Sequence, residues 1–338
     1  MKVLFIGGTG LISSAASQLA VAEGIDLYLL NRGNRDAFVP EGANVIRGDI
    51  NNRSEMEALL QDQSFDVVVN WIIFSPEEIE RDIHYFTGKT KQYIFISTVA
   101  TYERPPSYYI VDETTTQHNP VWDYATNKIA CEKRLIEEYE EKNFPMTIVR
   151  PSHTYGETAI PFAITSAAHP WTLIDRILNG KKMIVPGDGT SLWTITHNTD
   201  FAKGLVGLLG NPETIGQAFH ITSDEVKTWN QYLTAIGKVL GVEPKMIHMT
   251  SECISLFIPE MKAPLFGDAA NSYIVDNSKI KAFVPEFKAT TSFEEGIQQS
   301  IDYFKKHPEK QTIDQELNAK MDKAIASYEE FLSTIASK

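Results

Sequence analysis

Short apolar runs alternate with longer amphipathic stretches through the first 150 residues. Lys2–Ile6, Asp26–Leu30, Asn44–Arg47, Phe65–Asn70, Gln92–Ile96 and Met146–Val149 are mostly near-continuous in apolar character. That is the pattern of parallel strands covered on both faces. Between them, Leu11–Ala22, Ser54–Gln61, Pro76–Phe86 and Asp123–Glu141 read as helices, and Ser54 with Glu57 resembles a capping box. The alternation predicts an α/β fold, a doubly wound parallel sheet. After Pro151 the rhythm breaks. Residues 151–195 and 225–290 carry more Pro, Gly and Trp, while Gln217–Thr222 reads as a late strand returning to the sheet. The expected organisation is a doubly wound unit over 1–165 completed by a return strand near 217–222. A smaller, discontinuous C-terminal lobe over 166–310 and a terminal helix over 311–338 follow. In that helix Leu317, Met321, Ile325, Tyr328, Leu332 and Ile335 recur at helical spacing, as in a helix packed on its own domain, the alternative being a partner-binding helix.

Composition narrows the function classes. A formal net charge of −13 lacks the basic footprint of a nucleic-acid-wrapping protein. The two cysteines, Cys131 and Cys253, stand far apart and in no metal or redox spacing, which fits a reducing compartment. Cys131 reads as a small packing residue. The apolar start MKVLFIGGTG is too short for a signal peptide, and no segment approaches a membrane span, so the expected location is the cytoplasm. The eight histidines show no H-x-x-x-H or H-x-H spacing, and Glu137–Glu141 reads as a polar helix face. No metal site is expected.

The first strand ends in Gly7-Gly8-Thr9-Gly10-Leu11-Ile12-Ser13 and runs into a helix. In that context the glycines allow a tight turn and close approach of a pyrophosphate to the helix N-terminus. Gly7, Thr9, Gly10, Leu11 and Ile12 are therefore candidate cofactor-binding residues of a Rossmann-type unit. Ser13 replaces the third glycine of the usual pattern, and looser helix–strand packing is the expected cost. At the end of the second strand stands Asn31, followed by Arg32 and then Arg35, where a carboxylate would hold the ribose of NAD. An amide does not repel a 2′-phosphate and a guanidinium binds one, which favours NADP over NAD. The alternative keeps both arginines as solvated charges, with Asn31 serving NAD. Asp49 and Ile50, after the third strand, are placed to meet the adenine.

Tyr124 and Lys128 lie four residues apart at the start of a helix and so share a face. A nearby ammonium and an oxidised nicotinamide both favour the phenolate, bringing a phenol of pKa about 10 into working range as a proton acceptor. Thr98, at the carboxyl end of the fifth strand, can orient a substrate oxygen, with Ser97 as substitute.

Glycine loop, Thr98 and the Tyr124/Lys128 pair together resemble the short-chain dehydrogenase/reductase superfamily, in its extended, epimerase/dehydratase-like branch. Arg150-Pro151-Ser152-His153-Thr154-Tyr155-Gly156, Pro186-Gly187-Asp188-Gly189 and Thr196-His197-Asn198-Thr199-Asp200 are similar to segments of that branch. The resemblance covers roughly residues 1–225. It implies a catalytic trio of Thr98, Tyr124 and Lys128, with Lys128 also bonding the nicotinamide ribose, and a homodimer built on the Tyr124 helix and its neighbour.

The departures matter as much. In nucleotide-sugar members the position of Trp193 is usually an arginine gripping the diphosphate, and that of His153 an asparagine holding the substrate. Trp193 supplies one donor and no charge. Either Lys181 or Lys182 takes over, or the substrate is not a nucleotide sugar. His153 can contact substrate or sit in the domain interface, and His197 reads as structural. The bulky Val69-Asn70-Trp71-Ile72-Ile73-Phe74 implies a shifted or narrowed pocket. The expected function is NAD(P)-dependent epimerase, dehydratase or reductase chemistry at a carbinol or carbonyl of a sugar-like small molecule. The alternative is a non-turnover NADP-binding redox sensor or an RNA-binding protein on the same fold.

Overall fold

In the computed structural model, which describes residues 1–337, every apolar run of the N-terminal half is a strand. They are β1 (Lys2–Ile6), β2 (Asp26–Asn31), β3 (Asn44–Arg47), β4 (Phe65–Asn70), β5 (Thr90–Ile96) and, beyond the short β6 (Ile110–Val111), β7 (Met146–Pro151). The late strand, β11 (Gln217–Ile221), does return, pairing in parallel with β7. The seven-stranded sheet runs β11-β7-β5-β4-β1-β2-β3. Strand order reverses between β1 and β4, which opens a crevice at their carboxyl ends.

Period-two alternation divides the strands between two helical layers. Val3, Phe5, Val67, Val69, Ile94 and Ile96 face one core with residues of α1 (Ser13–Ala22), α6 (Asn198–Leu208) and α10 (Ser278–Phe283). Leu4, Ile6, Val68, Tyr93 and Phe95 face the other, with α2 (Arg53–Leu60), α3 (Pro76–Phe86) and α4 (Asp123–Lys142). Each fully buried aliphatic or Phe side chain contributes about 1.5–3 kcal/mol. Helices α6 and α10 thus belong with the sheet, although both fall within the 166–310 stretch expected to form the lobe.

Local signals explain the helix ends. Helix α2 starts one residue before the expected box because Asn52, a strong N-cap, accepts from the Glu55 N–H at 3.4 Å. The reciprocal box is at Ser75 and Glu78, with Pro76 in the first turn of α3. Asn143 ends α4 in the left-handed conformation, φ 58°. Glu138 departs from the expected polar face. It is 3% exposed and held by Arg134 at 2.8 Å and Lys142 at 3.1 Å.

The C-terminal lobe contains a sheet of β8 (His153–Tyr155), β10 (Leu192–His197) and β12 (Val226–Thr228). It also holds the pair β9 (Met183–Pro186) and β13 (Met246–Met249), while β14 (Ile274–Val275) joins β6. Around them lie α5 (Trp171–Leu178), α7 (Trp229–Leu240), α8 (Ser251–Phe257), α9 (Lys262–Pro264), α11 (Phe293–Lys306) and α12 (Gln315–Ala336). The apolar stripe of α12 is buried only in its first half, where Leu317, Met321 and Ile325 enter the lobe core. Leu332 and Ile335 are exposed. Among the described residues no helix is long and apolar enough to cross a membrane.

Candidate active site

The crevice at the carboxyl ends of β1 and β4 is a cavity of about 710 Å³. Its floor is the glycine turn. Gly7 and Gly8 take φ of 105° and 84°, conformations that favour glycine. A Cβ on Gly8 would stand 2.6 Å from Leu29, so the turn closes tightly on the sheet. No side chain caps α1, which leaves its first backbone N–H groups at the cavity for an anion. Ser13 does not loosen the packing as its sequence position suggested. It is 3% exposed, and its Oγ accepts from the Gly10 N–H at 2.8 Å, tying the turn to the helix. Ser17 adds a second tie, donating to the Gly8 carbonyl at 2.8 Å. A bare, left-handed turn facing an uncapped helix fits a dinucleotide pyrophosphate.

At one end the cavity is lined by Asn31, Arg32, Arg35, Asp49 and Ile50, together with Asn34 and Asn51. Arg32 reaches to 3.9 Å from the Asp49 carboxylate, and both side chains are well exposed. Register pairs Asn31 with Arg47 of β3. Arg47 bonds the Asn31 side-chain oxygen and pairs with Asp36 at 2.6 Å. This third guanidinium, behind Asn31 and outside the cavity lining, had no motif to mark it. Strand pairing supplies the signal, since both residues end neighbouring parallel strands.

At the other end Thr98, Tyr124 and Lys128 line the same cavity. Thr98 Oγ1 accepts from the Ala100 N–H at 3.1 Å, leaving its own hydrogen free to donate. The Tyr124 ring lies between Trp122 and Phe74, with centroids 5.0 and 6.5 Å away. Burial raises the pKa of the phenol; a hydrogen bond from Thr98 opposes this, and the Asp268 charge adds to it. The protein alone therefore holds Tyr124 as the protonated phenol, against the depression expected from Lys128, whose Nζ is 5.9 Å from the ring centroid. Lys128 donates to the carbonyls of Ile73 at 2.6 Å and Ile96 at 2.8 Å. Burial lowers its pKa to about 8.

The remaining candidates are placed differently. Ser97 lines the cavity, but its hydroxyl is turned to the buried carboxylate of Glu132. That carboxylate pairs with Arg150 at 2.5 Å. Arg150 in turn donates to the Tyr102 hydroxyl at 2.8 Å, and Tyr102 bonds His220. Glu132 and His220 carried no sequence signal as parts of a network. Trp193 is 2% exposed and packs on Trp229 at 5.1 Å and Tyr273 at 5.3 Å, away from the cavity wall. His153 stands edge-on to Trp193 at 6.2 Å, and burial lowers its pKa to about 4, so its ring is neutral. Trp71, Ile72 and Phe74 do line the cavity, as the bulky segment implied.

The profile of the NAD dependent epimerase/dehydratase family matches residues 3–222. The chain belongs to that family. It is thereby a member of the extended short-chain dehydrogenase/reductase superfamily, an enzyme lineage built on a nicotinamide dinucleotide. A UDP-glucose 4-epimerase of Lactobacillus helveticus is 24% identical over 330 residues, covering 91% of this chain and 98% of the relative. The chloroplast stem-loop binding protein of 41 kDa b of Arabidopsis thaliana is 24% identical, covering 73% of this chain and 65% of that protein. Among solved structures, the UDP-glucuronic acid 4-epimerase of Bacillus cereus, in complex with UDP-glucuronic acid and NAD, superposes with a TM-score of 0.72. It is 21% identical and covers 91% of this chain and all of its own, a likeness of fold. In this chain the glycine turn and the Thr98/Tyr124/Lys128 group line one crevice.

Proposed function

We propose that this family member is an NAD(P)-dependent oxidoreductase acting at a carbinol or carbonyl carbon of a small molecule, with Tyr124 as its acid/base. The observation that carries this is the convergence of Thr98, Tyr124 and Lys128 on one wall of the crevice whose floor is the dinucleotide-binding turn. When bound, the nicotinamide supplies or accepts the hydride. Tyr124 gives its proton to the carbonyl oxygen in reduction, or takes one from the alcohol in oxidation. Thr98 donates a hydrogen bond toward that oxygen or the phenolate. Lys128 holds a positive charge beneath the phenol and one N–H free for the cofactor. Its pKa of about 8 gives this role a pH limit. The ammonium is present below that pH and is lost as pH rises through it. Turnover is expected to decline through about pH 8, and a profile flat well above that pH would separate the ammonium from the chemistry.

At the ribose end, Arg32 and Arg35, which line the cavity with Asn31, support NADP over NAD. Arg32→Ala is expected to weaken NADP by roughly tenfold or more, the scale of one charge-assisted hydrogen bond, and NAD far less. Native mass spectrometry of the protein titrated with each dinucleotide measures both, and equal losses would sink the 2′-phosphate assignment. A homodimer through α3 and α4 belongs to the same reading, and a monomer in analytical ultracentrifugation would remove it.

The stem-loop binding relative supports a second reading, an RNA-binding protein on the same fold. Net charge of −13 and the retained Tyr124 weigh against it. RNA affinity that fell steeply with added salt would favour it.

A further inference from the structure

We infer that the substrate carries no diphosphate and presents an apolar, ring-bearing body to Tyr124, as a substituted aromatic aldehyde or ketone does. This rests on the reading of Tyr124 as acid/base. Among the described residues lining the cavity, the cations are Arg32 and Arg35, at the adenosine end, and Lys128. Two of the Lys128 donors are held by carbonyls.

Four further cations are already engaged. Lys181 bonds Asp322 at 2.7 Å and Lys182 pairs with Glu329, both on α12. Lys227, opposite Trp193 across the strands, pairs with Glu225 and stands 3.8 Å from Glu294. The Arg104 side chain is fully buried, donating to the Val99 carbonyl at 2.9 Å and to Asp268 at 3.3 Å. A diphosphate beside Tyr124 would meet a wall whose one positive charge, Lys128, already gives two of its three donors to carbonyls, so the loss of water would be poorly offset.

The walls suit a different ligand. Phe74, 52% exposed, lies beside Tyr124, and Val121, 46% exposed, sits on the segment entering α4. Phe74 and Trp122 bracket the phenol ring itself. Large apolar side chains left open beside a reactive pair are what a flat ring covers, by offset or edge-on aromatic contact.

The test uses the full-length protein saturated with reduced dinucleotide. Substituted benzaldehydes and acetophenones are assayed by the absorbance of the reduced nicotinamide, and UDP-glucose is titrated calorimetrically and assayed for conversion. Tyr124-dependent reduction of aryl carbonyls is expected, with no UDP-glucose binding. Phe74→Ala should raise KM for the aryl substrate by roughly three- to tenfold. A fluorescence titration with the dinucleotide separates that effect from lost cofactor. Tyr124-dependent conversion of UDP-glucose, or its saturable binding, would overturn the inference and leave the acid/base reading standing. An unchanged KM in Phe74→Ala would also overturn it. Turnover surviving in Tyr124→Phe, or no turnover of any carbonyl by the loaded protein, would take down both.

Discussion

Tyr124→Phe is expected to lower turnover by about 10²–10⁴-fold, the range supplied by a positioned acid or base, while leaving dinucleotide affinity nearly unchanged. The substitution removes one oxygen and keeps the ring. Contacts with Trp122 and Phe74 are made by ring faces and edges, so the packing survives. Thr98 loses an acceptor but keeps its bond from the Ala100 N–H, which holds its rotamer. Lys128 stays fixed by two carbonyls that belong to neither partner. What is lost is the proton. Burial keeps that phenol protonated in the protein alone, a state suited to giving a proton to a carbonyl. Steady-state kinetics beside a fluorescence titration of the cofactor separate the two properties. Unchanged turnover would exclude Tyr124 from the chemistry. A parallel loss of cofactor affinity would recast it as a binding residue.

The crevice was legible because its parts are local. Strand β1, the glycine turn and α1 are contiguous, and four residues on one helix place Tyr124 and Lys128 together whatever the rest of the chain does. Strands came out within two residues of their expected bounds where an apolar run met a turn, as at Lys2–Ile6 and Phe65–Asn70. What was hidden depends on partners distant in sequence. Arg47 reaches Asn31 across 16 residues, and Arg150 reaches Tyr102 across 48. Glu132 sits in a helix rich in charge, where its composition matches a solvated face. Only the arrival of β7 against α4 reveals that it is fully buried. Ser13 misled for a related reason, since a hydroxyl at a position usually held by glycine reads as a packing defect until its acceptor role is seen. Lys181 and Lys182 were open candidates for phosphate until α12, from the far end of the chain, was found to hold both.

Glu132→Ala is expected to destabilise the fold by about 3–5 kcal/mol, because it leaves the Arg150 guanidinium buried without its counter-ion. Glu132 receives Arg150 Nε at 3.0 Å and Nη2 at 2.5 Å, and both side chains are essentially closed to water. It also accepts from Gln117 at 2.8 Å and from the Ser97 hydroxyl, so three groups lose their acceptor at once. Urea unfolding measures the loss, and a change below about 1 kcal/mol would show that the pair does not carry this part of the fold. The double variant Glu132→Met with Arg150→Met decides what the pair is for. Removing both charges and filling their volume commonly restores or exceeds the original stability. If the double variant is stable yet slow, with cofactor affinity intact, the network positions the end of β5, since Ser97 is anchored through it and Thr98 is the next residue. If it is stable and fully active, the ion pair serves folding alone, and the site is positioned by α4 and the two carbonyls that grip Lys128.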